Sequence, residues 1–166
     1  MEQDRDSPRP AANDPRRGHG PRSRPAIPKV GRGLPSPRCA DRPPPEVLHG
    51  FEQFNRGEFF EQHETLEDAW IAESDPVRYL YQGILQVGVG LYHLRRGNLY
   101  GAGRMMAKGI ALLQPFRPRC MGVDVDRFVA DAARCHEAVL ACAPDAVDID
   151  PALIPRVVYA ADPAGC

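Results

Sequence analysis

The stretch FFEQHETLEDAW, running from Phe59 to Trp70, decides how this chain is read. Wound as a helix at about 100° per residue, it gathers Phe60, His63, Glu64, Glu67, Trp70 and Ile71 into an arc of roughly 120°. Glu58, Glu61, Gln62, Thr65 and Asp68 take the other side, which reads as an ordinary solvated face. The first set mixes large apolar rings with an imidazole and two carboxylates. Such groups are costly to bury unless they find partners. The pattern therefore predicts a helix whose inward face carries an internal polar cluster.

The flanking sequence supplies the neighbours. Pro45 suits a first helical turn, and Val47, Leu48, Phe51 and Phe54 form one apolar stripe behind it. Asn55-Arg56-Gly57 is a turn into the second helix, about Glu58 to Glu73. Ser74-Asp75-Pro76 caps a third helix that runs to Arg96, with Gly97 as its stop. This third helix is apolar nearly all round, so it is expected at the centre. It also carries its own stripe of Tyr79, Gln82, Gly83, Gln86, Val89, Gly90 and His93. Each interior glycine costs roughly 0.8–1 kcal/mol relative to alanine, which close approach of a neighbouring helix would offset. The two stripes are expected to face each other, bringing His63, Glu64 and Glu67 to Gln82, Gln86 and His93.

Asn98 can cap a fourth helix with Leu99, Ala102, Met105, Met106, Ile110 and Leu113 inward, ended by Pro115 and Pro118. Asp124 starts a fifth, with Phe128, Val129, Ala132, Cys135, Val139 and Leu140 inward. The expected fold class is all-α, a single antiparallel helical bundle of about five helices over residues 45–143. Residues 144–166 read as an extended tail partly packed on the bundle.

Residues 1–45 hold eleven prolines and ten Lys+Arg against five acids, whereas the whole chain of 166 residues has a net charge of -1. The segment 1–44 cannot bury enough apolar surface to offset chain entropy and reads as a disordered arm. No aromatic residue is interleaved with its arginines, so nucleic-acid contact is disfavoured. The five cysteines (Cys39, Cys120, Cys135, Cys142, Cys166) are scattered without a CxxC pair, which argues against a zinc ribbon or a disulfide framework. Reduced thiols in a cytoplasm are the plain expectation. The start lacks the apolar run of a signal peptide, and Tyr79 to Leu94 is shorter than the ~20 apolar residues of a membrane span.

Three chemistries fit the cluster. A carboxylate satisfied by His, Gln and Tyr donors would fix helix register, with no cofactor. A single divalent metal ion would use His63 and Glu67 at i and i+4, with His93 as third ligand and Glu64 as general base, giving a metal-dependent hydrolase. Metal-free acid–base chemistry or binding of a polar ligand is the third. No nucleophile elbow, Walker loop or dinucleotide fingerprint accompanies the cluster. The reading taken is a non-catalytic binding or scaffold module, with a homodimer through the exposed edge of the bundle as its expected assembly.

The runs FNRGEFFEQHETLEDAW (Phe54 to Trp70) and YQGILQVGVGLYHLRRGN (Tyr81 to Asn98) resemble family 309 of the domains of unknown function, a group of small prokaryotic all-helical proteins. The resemblance covers about Leu48 to Leu140. It implies a one-domain antiparallel bundle, with His63, Glu64, Glu67, Trp70, Gln82, Gly83 and His93 at the family's signature positions. It implies no activity.

Overall fold

A computed structural model describes residues 31–145 and 147–160. The expected disorder of residues 1–30 lies outside these. Five α-helices occur among the described residues: α1 (Pro45–Asn55), α2 (Phe59–Ala72), α3 (Arg78–Arg95), α4 (Leu99–Leu113) and α5 (Val125–Ala141). Each packs on the next as an antiparallel neighbour, and α3 is the central rod. Leu80, Ile84, Val87 and Leu91 on α3 are essentially sealed from solvent.

The turns follow from two glycines. Gly57 and Gly97 adopt φ of 76° and 73°, left-handed values that favour a residue without Cβ. At the first, the Glu58 amide donates to the Gln53 carbonyl and the Gly57 amide to that of Phe54. The same pair of bonds recurs after α3, from Asn98 to His93 and from Gly97 to Leu94. Orphan carbonyls at both helix ends are thereby satisfied. Asn98 Oδ1 then accepts from the Gly101 amide and Asp124 Oδ1 from the Arg127 amide, so both expected N-caps form.

The glycines do not serve the seam expected of them. Gly83 and Gly90 face α4, where a Cβ on Gly83 would meet the Leu113 side chain and the Gly109 carbonyl, and one on Gly90 would meet Met106 and the Ala102 carbonyl. Gly109 answers from α4, its own position backing onto the Gly83 carbonyl and Val87. Among these, Gly88 is the residue that admits α2: a Cβ there would collide with the Gln62 amide. Met106 lies fully buried in this seam. Leu140, expected inward on α5, is 68% exposed; Phe128, Ala132, Cys135 and Val139 form the buried stripe instead.

A two-strand hairpin, β1 (Arg119–Cys120) with β2 (Val123–Asp124), separates α4 from α5. Strands this short leave no alternation to read in the sequence. The tail returns to this hairpin and to α1. The Asp124 amide donates to the Val158 carbonyl at 2.8 Å. Asn55 clamps Val157 at both of its backbone groups, each bond 2.8 Å.

Residues 31–44 also depart from the expected free arm. Cys39 and Cys120 form a disulfide, correcting the expectation of reduced thiols throughout. The short 3-10 turn at Pro37–Ala40 is further held by an ion pair from Arg38 to Glu73 and a hydrogen bond from the Ser36 hydroxyl to Asp75. Those carboxylates sit in the α2–α3 turn, so the segment straps that turn to the hairpin. Scattered cysteine spacing conceals such a link because the partners lie 81 residues apart. None of the described helices is long and apolar enough to cross a membrane.

Candidate functional site

The two stripes singled out in the sequence do lie on adjacent helices, but the α2 stripe is rotated outward from its expected position. The residues that α2 buries are Phe59, Gln62, Leu66 and Ala69. Gln62, assigned above to the solvated face, is 0% exposed. Its amide nitrogen donates to the Leu85 carbonyl of α3 at 3.2 Å, in the space that Gly88 leaves. The misreading has a simple physical origin. Two phenylalanines in succession, Phe59 and Phe60, allow two phases of the helix, and the structure buries the first.

The rotation moves every predicted residue of α2. Phe60 is 53% exposed and Ile71 44%. Glu64 is exposed, while His63, Glu67 and Trp70 are half-buried at the flank facing α3. On α3, Gln82, Gln86 and His93 are likewise half-buried, Tyr79 is buried, and Gly83 and Gly90 point to α4. The stripes therefore form a shared, partly open face along the α2–α3 groove. No dry interior encloses it.

The members are also spread along that groove. Phe60 packs against Tyr92 with ring centroids 6.0 Å apart and planes tilted by 47°, which places His93 at the Phe60 end. Glu67 lies two turns further on, roughly 10 Å along the axis. His93 Nδ1 instead lies 3.4 Å from Asn98 Nδ2, beside the cap of α4. Glu67 and Tyr79 are both engaged within the fold. Among the described residues no group of three or more His, Cys, Asp or Glu is placed to hold a metal ion. The set His63, Glu67 and His93 with Glu64 as base is thus not brought together, because the two helices run antiparallel and set its ends apart.

What the far end of the groove does contain is Arg78. It is 6% exposed, and its guanidinium carbon lies 5.3 Å from the Trp70 ring centroid and 5.9 Å from that of Tyr79. Its Nε and Nη2 are buried without a hydrogen-bond partner, as are Trp70 Nε1 and Gln86 Oε1. Sequence reasoning missed this residue because the α3 stripe was begun at Tyr79. At about 100° per residue Arg78 lies only some 40° from Gln82, so extending the arc by one residue would have included it.

At the start of α2, a cleft of about 450 Å³ lies between Phe59, Leu91, Leu94 and Arg95 and the tail residues Ile149 and Ile154. Arg95 is committed there: it donates to the Gly57 carbonyl and its guanidinium lies 4.5 Å from the Phe59 ring centroid. The cleft does not include the predicted residues.

The comparisons with known proteins bear on the same helices. An uncharacterised protein, YpuF of Bacillus subtilis (strain 168), is 45% identical over 58 residues, which are 34% of this chain and 33% of the relative. The matched part spans about a third of that relative's own length. The model of the family described as "Domain of unknown function (DUF309)" matches residues 47–105, which contain α1 from its third residue, α2, α3 and the first turns of α4. The similarity to the DUF309 family is therefore confined to segment 47–105 of this chain.

Proposed function

We propose that the chain is a binding module without chemistry of its own, and that its working surface is the α2–α3 groove. One observation carries this reading: buried hydrogen-bonding atoms of Trp70, Arg78 and Gln86 lack partners on the same face where Phe60 and Ile71 stand exposed. An orphaned buried polar group costs about 1–3 kcal/mol, and exposed apolar side chains beside it gain by being covered. A docked partner would relieve both. The dispersal of His63, Glu64, Glu67 and His93 weighs against the metal-dependent hydrolase.

The occupant in this reading is a second copy of the chain. Phe60 and Ile71 lie about three turns apart on one helix, so a two-fold axis between them would set each against the other residue of the partner. The Cys39–Cys120 link weighs against a reducing compartment. Sedimentation of the full chain tests the assembly. The parent is expected to dimerise and the double variant Phe60→Ser, Ile71→Ser to remain a folded monomer. A parent that stays monomeric up to its solubility limit refutes the self-association.

A further inference from the structure

Arg78 has the features of an anion receptor without its anion. A buried cation ordinarily has an acid beside it, because desolvating a lone charge is among the costliest events in a fold. Among the described residues Arg78 forms no ion pair, and it leans only on the faces of Trp70 and Tyr79. The two nitrogens left open are Nε and Nη2. These share one edge of the guanidinium plane, and their N–H bonds run parallel. That edge matches the two oxygens of a carboxylate, accepted side by side. Trp70 Nε1, a third donor without an acceptor, belongs to the ring that lies against the same guanidinium. Arg78 is also the first residue of α3, where the helix dipole favours negative charge. Three open donors and a positive helix end leave acceptors, and negative ones, as the missing chemistry.

We infer that the Arg78 edge, with the Trp70 indole, is a carboxylate-binding site at the end of the α2–α3 groove. The inference rests on the groove being the working surface and names the chemistry it recognises. The carboxylate comes from a free organic acid or from the acidic side chain of a docked chain. Burial of the guanidinium strengthens the bond through the low local dielectric, and the neighbouring Trp70 and Tyr79 rings restrict its movement.

Trp70 is the chain's single tryptophan, so its fluorescence reports on the site directly. The full chain is titrated at constant ionic strength with succinate, with acetyl-glutamyl amide and with inorganic phosphate, against potassium chloride. A saturable change is expected with a carboxylate and not with chloride. Stronger response to succinate assigns a free acid, and stronger response to the capped glutamate assigns a polypeptide side chain. Arg78→Lys keeps the charge but lacks the parallel edge, and is expected to weaken binding about tenfold or more. Arg78→Met removes a charge that has no partner. It is expected to melt close to the parent in buffer and to lose the rise in melting temperature that succinate gives the parent.

Three results would overturn the inference. They are no saturable response to either carboxylate, tighter binding of phosphate than of both, or an Arg78→Met protein that melts far below the parent without ligand. Any of these leaves the sedimentation result untouched, so loss of the carboxylate site and loss of the groove as a docking surface are separable.

Discussion

Gly109→Ala in α4 should destabilise the bundle, whereas Gly103→Ala two turns earlier in the same helix should stabilise it. A Cβ on Gly109 would stand 2.6 Å from the Gly83 carbonyl oxygen and 2.9 Å from the Val87 nitrogen. Both are backbone atoms of α3, so no rotamer change can relieve the overlap. Restoring an ordinary contact requires the helices to part by roughly 0.5–1 Å, a gap that forfeits a quarter to a half of the dispersion energy along the seam. Overpacking of this kind costs about 1–3 kcal/mol, against a gain of up to about 1 kcal/mol from replacing glycine within a helix. The net loss is up to about 2 kcal/mol. At Gly103 the nearest atom is Leu140 Cδ2 at 3.3 Å, the end of an exposed and flexible side chain. There the propensity gain of about 0.5–1 kcal/mol survives. The same substitution in one helix cancels the propensity gain and most unfolded-state effects, leaving a difference of about 1–3 kcal/mol between the variants. For a chain of this size that is roughly 2–12 °C in melting temperature. Thermal unfolding followed by circular dichroism measures it. A Gly109→Ala protein that melts at or above Gly103→Ala would refute the account of the α3–α4 seam.

Further expectations follow from buried groups. Gln62→Leu should cost less than about 1 kcal/mol, since it removes the orphaned Gln62 Oε1 along with the bond to Leu85, while Gln62→Ala opens a cavity and should cost about 2 kcal/mol or more; chemical denaturation distinguishes them. Cleaving Cys39–Cys120 with a reductant should lower stability by up to about 4.5 kcal/mol, the chain-entropy value for a loop closed across 81 residues, and unchanged melting would refute the link. The Cys135 thiol is pushed up to about 11 by desolvation, so at pH 9–11 the unfolded chain releases its proton first and stability falls as pH rises through that window. Cys135→Ala should flatten that slope, and a slope the same as the parent's would assign it to other groups.

Much of the fold was legible because its signals are local. Pro45, Gly57, Gly97, Asn98 and Asp124 mark helix ends by their own backbone chemistry, and each stands where its spacing placed it. The α2 phase was not legible, because an aromatic pair at Phe59-Phe60 and a run of carboxylates satisfy two rotations equally. Burial of Gln62 is decided by a vacancy on another helix, at Gly88, which no periodicity on α2 reports. The pairing of helices 2 and 3 was foreseen, but not that Phe60 and Tyr92 would set one end of the groove and Trp70 and Arg78 the other. That ordering depends on antiparallel register, a tertiary property. The strap at residues 31–44 was hidden for the same reason: its fastenings at Asp75, Glu73 and Cys120 are all distant in sequence.

The similarity border at residue 105 falls inside α4, which continues to Leu113. A protein trimmed to that border would lose Met106, Gly109, Leu112 and Leu113, and the central rod would meet water along its most intimate flank. Evolutionary kinship and autonomous folding thus draw different perimeters on this chain. The matched helices borrow stability from residues of this chain beyond the border, so the matched segment on its own leaves an uncovered flank.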